Sequence, residues 1–528
     1  MAYGARIWVD VPSGQAPPAG ALAMSAANFN YMEAGIALAG GRGVLYVAAV
    51  DAPTAERDRA DYVCDGVADD VQIQAAINAA GTAGAGVVLL STGTFTLAAE
   101  IALLGANLVD TESWVSLEGA GPARTKLVAA SGLTAAIQLA AVWKGRLARF
   151  SVQVVGATHG VRAVATNTAA AGYRSFWGTT VEDIKVDGPG NGTHTGWALH
   201  LESPFRSTFR NIEAVGIGNG IRLFSSHNSF NPGDCVFTRC FMDSTGNTRT
   251  TYSVESTVAS GNMNQVVFIM CEAICSGTGC TGIYLGGSGG TPGPVNHTEW
   301  IGTNLENFDT VVNIDRGEGN DISLNYVETR YITGMTVVKF GASAYNNTIR
   351  RIGMLYTAFT VTLVNDGNTA LPEEPNTVEN VKVYADTGST INVTRNGALT
   401  TVLRDIIGDG PGTFAAGVRR PGHLFLPNAT VTLTYGAGLT PDALAGSVRV
   451  CTMTGDATLN VPTNGIDQQQ LRLRFIASGA QRTLTFNASL RRAGSLASTL
   501  VIPSGSRGDV GLLNEVGFGW TVSTATVA

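Results

Sequence analysis

Two acidic side chains in the middle of the chain have a spacing compatible with glycoside hydrolysis. A short unit of the form apolar-x-x-apolar recurs along the chain. Glu213 and Glu272 each occupy the position just after the second apolar residue of one copy, which we call the slot. If this slot faces outward on stacked strands, the two carboxylates lie two strands apart, roughly 9.6 Å. Inverting glycosidases place two carboxylates about 6.5–9.5 Å apart, and retaining ones about 5–5.5 Å. Glu213 and Glu272 are therefore candidate catalytic residues at the edge of the inverting range.

A second acidic group lies about thirty residues further along the chain. Glu299 and Glu306 flank Trp300 in sequence, and Asp309 follows closely. This group is the alternative catalytic pair, since hydrolysis of a glycosidic bond needs only two suitably placed carboxyl groups. The alternative for every one of these residues is a solvated acidic side chain on an outer surface.

Four aromatic side chains are candidate glycan-binding residues, because sugar binding favours an aromatic face beside carboxylates and amides. Phe241 lies between Glu213 and Glu272 in the repeated slot. The opposing interpretation is that each ring packs against a strand or a neighbouring subunit. The four candidates are Trp177, Trp197, Phe241 and Trp300.

Other site chemistries lack their motifs. Neither GxxxxGK[ST] nor GxSxG occurs, and the glycine-rich run at 286–290 lacks the strand-and-helix context of a phosphate loop. Cys271, Cys275 and Cys280 form a possible metal cluster, but the nearest histidine is His297 and no close CxxC pair is present. We interpret these cysteines as buried small apolar residues and predict neither a metal nor a cofactor.

The composition limits the class of protein. The chain has 528 residues, 65 of them glycine, and is only 14% charged, against about 25% on average. Low charge and ample apolar content indicate a folded chain. The net charge of −7 argues against a nucleic-acid-binding surface, which needs a basic patch. No uninterrupted apolar run reaches the ~18 residues of a membrane-spanning helix, so we expect no membrane insertion.

A repeat explains this composition and positions the candidate residues. A unit of the form apolar-x-x-apolar recurs, from Val181 onward at intervals of 24–32 residues, with Gly, Asn and Asp between the copies. Short strands repeated at such a period predict a solenoid, here a parallel β-helix. Phe209, Phe237 and Phe268 should then form one column inside the coil. The copies are Leu147/Phe150, Val181/Ile184, Phe209/Ile212, Phe237/Cys240, Phe268/Cys271, Trp300/Thr303, Leu324/Val327, Ile349/Ile352 and Val378/Val381.

Three domains are expected along the chain. Residues 1–45 contain a short helical pattern at 25–38, residues 46–410 contain the repeat, and residues 411–528 contain alternating strands typical of a small antiparallel β-sandwich. The acidic motif Asp65, Asp69 and Asp70 precedes a helical pattern near 70–80. The N-terminus lacks the pattern of a signal peptide, so we expect synthesis in a cytoplasm without ordinary secretion.

Two segments resemble known families. Residues 65–80 and 87–90, with glycines at 93, 119 and 121, resemble the entry segment of the pectate-lyase-like right-handed β-helix superfamily. Asp65, Asp69 and Asp70 resemble family positions that fold a capping helix onto the open end of the coil. Residues 28–36 (NFNYMEAGI) resemble a short stretch near the start of phage minor tail proteins. Polygalacturonases carry the short sequence motifs NTD, DD, HG and RIK. Here His159-Gly160 matches HG, and Asn313-Ile314-Asp315 matches NTD imperfectly.

These resemblances imply an all-β phage tail fibre or tailspike with a right-handed parallel β-helix. Such proteins are usually homotrimers in the virion, assembled in the host cytoplasm and acting at the host cell surface on cell-envelope glycans. Residues 1–45 would bind other phage tail or baseplate proteins, and residues 411–528 would trimerise the chain or bind receptor. A glycan depolymerase, either a glycoside hydrolase or a lyase, is the alternative on the same scaffold. An extracellular hydrolase of non-phage origin is a third, which the missing signal peptide disfavours.

Overall fold

A computed structural model describes most of the chain from residue 43 to residue 527. The predicted attachment segment at 1–45 thus lies almost wholly outside the described residues. The structure also leaves out 83–84, 105–113, 141, 143, 166–176, 227–232, 259–261, 288–292, 329–333, 358–359, 368–374, 386–387, 396–400, 410–412, 415–430, 442–447, 464–469 and 516–518.

The chain divides into two compact units, with the boundary between Arg404 and Asp405, close to the domain boundary expected near residue 410. Among the described residues, 32 strands join one continuous sheet. Their strand pairs are parallel, as in Val181↔Phe209 and Phe237↔Phe268. The predicted parallel β-helix is confirmed.

The strands of this coil follow one another with short connections and two helices near the start. The helices are α1 (Thr54–Arg57) and α2 (Asp70–Thr82). The strands are β1 (Gly43–Ala48), β2 (Tyr62–Val63), β3 (Ala85–Leu90), β4 (Gly93–Leu97), β5 (Ile101–Leu104), β6 (Trp114–Glu118), β7 (Thr125–Ala129), β8 (Ala135–Ala140), β9 (Arg146–Gln153), β10 (His159–Val164), β11 (Thr180–Asp187), β12 (Trp197–Glu202), β13 (Thr208–Ile217), β14 (Asn219–Ser225), β15 (Gly233–Thr238), β16 (Phe241–Ser244), β17 (Thr250–Ser256), β18 (Met263–Ile269), β19 (Glu272–Cys275), β20 (Thr281–Gly286), β21 (Val295–Asn296), β22 (Glu299–Glu306), β23 (Thr310–Glu318), β24 (Asp321–Glu328), β25 (Met335–Tyr345), β26 (Thr348–Arg350), β27 (Gly353–Thr357), β28 (Val361–Asp366), β29 (Asn376–Ala385), β30 (Thr390–Arg395), β31 (Thr401–Asp409) and β32 (Thr413–Phe414).

Each central turn of the coil has three faces. The strands β11, β13, β22 and β24 bend in the middle, so that their first halves lie on the first face and their second halves on the second face. The split is visible where β13 pairs with β15 through Phe209↔Phe237 and with β16 through Glu213↔Phe241. The third face consists of β10, β12, β14, β17, β20 and β23.

The interior is a stack of aligned side chains. Phe209, Phe237 and Phe268 are fully buried, and neighbouring ring centroids lie 4.3 and 4.6 Å apart with the planes within 13° of parallel. Trp300 continues the column, with its ring 3.7 Å from that of Phe268. The predicted column of phenylalanines is confirmed, and it forms because parallel register places equivalent residues one strand spacing apart.

The bend between the first two faces requires a left-handed backbone. Asp183, Asn211, Arg239, Met270 and Asn380 occupy it in successive or later turns, with φ between 51° and 54°. Asn and Asp tolerate this conformation better than most residues. The Asp or Asn inside several copies of the unit, as at Asp183, Asn211 and Asn380, therefore has a backbone role.

A second interior column consists of asparagines. Asn320 donates through Nδ2 to Oδ1 of Asn347 (2.8 Å), and Asn347 donates to Oδ1 of Asn376 (2.9 Å). All three side chains are buried, and each amide also donates to a backbone carbonyl such as that of Val295 or Gly317. The ladder thereby provides hydrogen-bond donors for buried backbone carbonyl groups, which would cost free energy if they were left unpaired. The repeat did not predict the asparagine ladder, because these residues lie outside the apolar unit.

Four cysteines near the middle of the chain lie inside the coil. Cys240 and Cys271 fill neighbouring interior positions, as predicted. Cys275 and Cys280 are also buried, but they form a disulfide with each other rather than remaining free thiols. The predicted burial of all three cluster residues is confirmed, and the link between β19 and β20 brings Cys275 and Cys280 together.

The first turns are covered by α2, which packs Ile73, Ala76 and Ile77 inward. Asp69 accepts a hydrogen bond from the backbone N–H of Thr96 (2.7 Å). Asp70 accepts one from Ala98 (2.7 Å), while Gln74 bonds both backbone groups of Ala102. These side chains form hydrogen bonds with backbone N–H and C=O groups that have no neighbouring strand to pair with.

The second unit contains two sheets over a common core. The alternation at Leu471, Leu473 and Phe475 points these side chains inward, as predicted for a sandwich. Strand directions are mixed, since β35 and β37 pair in parallel and β37 and β41 antiparallel, whereas the sequence predicted antiparallel pairing throughout. The strands are β33 (Val431–Thr432), β34 (Gly438–Leu439), β35 (Val448–Met453), β36 (Ala457–Leu459), β37 (Gln470–Ala477), β38 (Arg482–Phe486), β39 (Arg491–Arg492), β40 (Thr499–Ile502), β41 (Arg507–Glu515) and β42 (Gly519–Val527).

Within the described ranges, neither helix is long and apolar enough to cross a membrane.

The aromatic column allows a matched test of interior packing. Phe237→Ala should lower the free energy of unfolding by about 3–5 kcal/mol, because it opens a cavity between two stacked rings. Phe241→Ala, at a half-buried outer position four residues later, should cost only about 1 kcal/mol. Denaturant midpoints of the two variants measure the difference, and equal losses would contradict the stacked interior.

Candidate functional site

The second face carries a row of acidic side chains on its outer side. Strand register places Phe241 directly between Glu213 and Glu272, as their shared slot predicts. Lys185 precedes Glu213 in the same column, and Asn304 follows Glu272. Each is at least partly exposed. Two strand spacings separate Glu213 from Glu272, about 9.6 Å between backbones.

A neighbouring column brings further carboxylates beside this one. Glu306 pairs with Ile274 on one side and with Glu328 on the other, and Asp243 lies in the same column one strand before Ile274. Tyr326 donates its hydroxyl hydrogen bond to Glu328 (2.7 Å). We call Glu213, Asp243, Glu272, Glu306 and Glu328 the acidic face.

Glu328 does not lie in the column that the repeat predicted for it. The unit Leu324/Val327 suggested the slot of Glu213 and Glu272, but Tyr326 occupies that position. The pairing of β22 with β24 shifts register between Ile301 and Asn304, so Ile322 rather than Leu324 continues the interior column. The shift moves Glu328 into contact range of Glu306.

The proximity of these carboxylates changes their ionisation. Partial burial raises the pKa of Glu306, and the negative charges of Glu328 and Glu272 raise it further. Burial likewise raises the pKa of Asp243. Glu213 has a different environment, because the ammonium group of Lys185 lies 3.8 Å from its carboxylate. The acidic face thus contains two carboxyl groups, those of Glu306 and Asp243, whose pKa is raised.

This arrangement has the elements of acid–base chemistry on a sugar. Glu272 and Glu306 lie one strand and two residues apart, about 8 Å between Cα atoms from ideal strand dimensions. A raised pKa suits a general acid, and an ionised partner suits a general base. The spacing falls within the about 6.5–9.5 Å of inverting glycosidases.

The other predicted acidic pair is not brought together. Glu299 lies on the first face, paired with Val267 and Asp321, and its side chain is exposed. Glu306 lies beyond the bend at Gly302, on the second face. The structure therefore groups Glu306 with Glu272 and leaves Glu299 apart. Asp309 accepts a hydrogen bond from the backbone N–H of Cys280 (3.0 Å).

Trp300 is not a glycan platform. Its ring is fully buried in the interior column, between Phe268 and the edge of Tyr252, so no face is open to a sugar. The prediction failed because Trp300 occupies the first apolar slot of a degenerate copy, which faces inward like Phe268.

The remaining aromatic candidates lie in three separate places. Phe241 is on the acidic face. Trp177 is partly exposed and makes an edge-to-face contact with Phe205, with ring centroids 5.0 Å apart and the Arg206 guanidinium nearby. Trp197 begins β12 on the third face and is half-buried.

Several other carboxylates are engaged in structural contacts. Asp65 accepts a hydrogen bond from the backbone N–H of Val67 (3.0 Å), and Asp69 and Asp70 bond the strands beside α2. Glu182 is buried on the first face; burial raises its pKa, but hydrogen bonds from Arg210 and Arg146 outweigh this and lower it. Backbone N–H groups therefore bind Asp65, Asp69 and Asp70, and arginines bind Glu182.

Within the described ranges, no group of three or more His, Cys, Asp or Glu side chains has the arrangement to hold a metal ion.

Known proteins similar to this chain are found among solved structures. No protein-family model and no curated protein matches the chain. Among solved structures it is similar to the A-module of a mannuronan C-5 epimerase from Azotobacter vinelandii (16% identity, 67% of this chain and 96% of that chain, TM-score 0.36). It is also similar to the catalytic unit of a GH87 alpha-1,3-glucanase from Streptomyces thermodiastaticus (14%, 66% and 67%, 0.36). A third is ORF18 of Geobacillus virus E2 (13%, 88% and 74%, 0.32). Identities and TM-scores this low carry no argument about function.

Repulsion on the acidic face predicts a stability gain. Glu328→Gln keeps an acceptor for Tyr326 but removes the charge opposite Glu306, so it should add about 0.2–1 kcal/mol to the free energy of unfolding at pH 7. The folded pKa of Glu306 is raised, so its contribution to stability falls as pH rises from the unfolded pKa through the folded one. Denaturant midpoints should therefore show a larger gain at pH 7 than at pH 4.

Glu213→Gln is the matched control, because Glu213 faces Lys185 rather than another carboxylate. It should give no gain at either pH. Equal gains in both variants would contradict mutual repulsion between Glu306 and Glu328.

Proposed function

We propose that this protein is a phage tail fibre or tailspike-like adhesin that binds host cell-surface glycans along its β-helix. The observation that carries the proposal is the acidic face, where half-buried Phe241 lies between Glu213 and Glu272 in one column. An aromatic ring supplies an apolar surface for a sugar ring, and the carboxylates on both sides accept hydrogen bonds from its hydroxyl groups.

The virion role rests on the N-terminal resemblance and on the domain order. In this proposal residues 1–45 bind other tail or baseplate proteins, the β-helix contacts the host envelope, and the second unit holds three chains together or binds receptor. Side-by-side packing in a homotrimer would bury outer surface that a single coil leaves in solvent. A chain that begins at residue 43, which leaves β1 intact, should fold but fail to join virions. Normal incorporation of this chain would contradict the attachment role.

A glycan depolymerase is the second candidate, favoured by the raised pKa of Glu306, whose strand lies beside that of Glu272. In an inverting hydrolysis, Glu272 would take a proton from water as the water attacks the anomeric carbon. Glu306 would give its proton to the departing glycosidic oxygen. The bond between anomeric carbon and oxygen breaks, and the two carboxyl groups exchange protonation states before solvent restores them.

Adhesion through the acidic face predicts a loss on removal of the aromatic ring. Phe241→Ala should weaken binding of the labelled protein to host cells or to purified envelope polysaccharide by about tenfold, because aromatic contact residues commonly contribute at least about 1.4 kcal/mol. Binding isotherms measure the change. Tyr46→Ala, which removes a half-buried ring on β1, away from both the acidic face and the third face, is the control. If Phe241→Ala binds like the unmodified chain, the acidic face is not the adhesive surface.

Hydrolysis predicts a specific loss of activity. If the chain releases reducing ends from host polysaccharide, Glu306→Gln should lower kcat by about 100-fold or more, because it removes the general acid. Glu299→Gln, an exposed carboxylate on the first face, should leave the rate unchanged. Release of unsaturated sugars would indicate a lyase instead, and no sugar release from any envelope polysaccharide would leave adhesion as the whole function.

A further inference from the structure

A cluster of histidine and arginine side chains lies on the outer side of the third face, away from the acidic face. Strand register stacks Arg162, His200 and Arg222 in one column on β10, β12 and β14. His159 packs its ring on His200, with centroids 4.4 Å apart and planes 1° from parallel. Trp197 adjoins both histidines. We call these five residues the histidine–arginine cluster; all are half-buried, so each keeps part of its surface open.

Hydrogen bonding assigns the tautomer of His200. Its Nε2 lies 3.2 Å from Nη1 of Arg222, and a guanidinium group can only donate. Nε2 is therefore the acceptor, and in the neutral ring the proton is on Nδ1. That Nδ1–H is buried and has no hydrogen-bond partner in the part of the chain that the structure describes. An unpaired buried donor is costly and calls for an explanation.

His159 has the opposite tautomer. Its Nδ1 accepts the backbone N–H of Trp197 (3.0 Å), which places the ring proton on Nε2. Burial lowers the pKa of His159 to about 4 and that of His200 to about 3, and the charges of Arg162 and Arg222 add to both effects. At neutral pH both rings are therefore neutral, and each has one N–H to donate.

The arginines differ in what they already bind. Arg222 pairs with Glu255 through two hydrogen bonds of 2.9 and 2.8 Å, and Ser253 donates to the same carboxylate (2.5 Å). Arg162 forms no ion pair or side-chain hydrogen bond with any described residue. The groups of the cluster that can meet a ligand are thus donors, namely Nε2–H of His159 and the guanidinium group of Arg162, whereas the Nδ1–H of His200 is enclosed by protein.

We propose that the histidine–arginine cluster binds the anionic substituent of an acidic sugar, either a uronate carboxylate or a sulfate ester. Such a group supplies several acceptor oxygens and a negative charge, which complement the guanidinium group of Arg162 and the neutral imidazole donor of His159. Trp197 offers an apolar surface for the sugar ring itself. Neutral sugars would leave the charge of Arg162 unmatched.

This site is separate from the acidic face, whose carboxylates repel an anionic sugar. It assigns a ligand class to a second surface of the glycan-binding protein proposed above. The two proposals can fail independently, because they involve different residues on different faces.

Calorimetric titration of the full chain tests the site with three probes: hexagalacturonate, a heparin-derived hexasaccharide and neutral maltohexaose. We expect binding of one or both anionic probes. Arg162→Gln should weaken this binding about tenfold or more, since it removes a charge-assisted contact. His159→Gln is a second variant and should weaken it several-fold. Denaturation midpoints establish that each variant is folded.

Arg124→Gln, an exposed arginine next to β7, is the matched control and should bind like the unmodified chain. Binding of hexagalacturonate alone identifies a carboxylate ligand, and binding of the heparin fragment alone identifies a sulfate. The proposal is overturned if neither anionic probe binds, if maltohexaose binds equally well, or if Arg162→Gln and His159→Gln both retain full affinity.

Discussion

The structure depends on parallel in-register stacking of successive turns. Backbone hydrogen bonds hold equivalent residues one strand spacing apart, about 4.8 Å, which is also a favourable separation for stacked rings and for amide-to-amide hydrogen bonds. The Phe209–Phe237–Phe268–Trp300 column and the Asn320–Asn347–Asn376 ladder both follow from this spacing. Each turn therefore supplies the packing surface for the next.

The same constraint acts on the outside of the coil, because a charged side chain there lies beside the equivalent side chains of the turns before and after it. On the first face, buried Glu182 is neutralised by Arg146 and Arg210 from the turns on either side. On the second face, Glu306 faces Glu328 without an intervening cation in the register. On the third face, two neutral histidines lie beside arginines. Matched charge suits a structural role, whereas unmatched groups with shifted pKa are typical of functional surfaces.

A β-helix can carry several sites because its faces are chemically independent. Residues within a face are tied by register, but residues on different faces are separated by the interior column. Glu299 and Glu306 illustrate the point: they are seven positions apart in sequence, yet the bend at Gly302 places them on different faces. Proximity along the chain is therefore a poor guide to proximity in space, while equivalent position in the repeat is a good one.

The amino-acid sequence by itself determined the coil, its interior phenylalanine column and the alignment of Glu213, Phe241 and Glu272, because all three follow from the spacing of apolar residues. It also predicted the helix near 70–80, since the acidic motif and apolar periodicity are local signals. Only the tertiary structure decided where the period breaks. The register shift between β22 and β24 placed Glu328 beside Glu306. The side chain of Trp300 lies in the interior column rather than on the outer surface. The histidine–arginine cluster was invisible for a related reason: its members come from different strands and share no motif, so only hydrogen-bonded register brings them into one column.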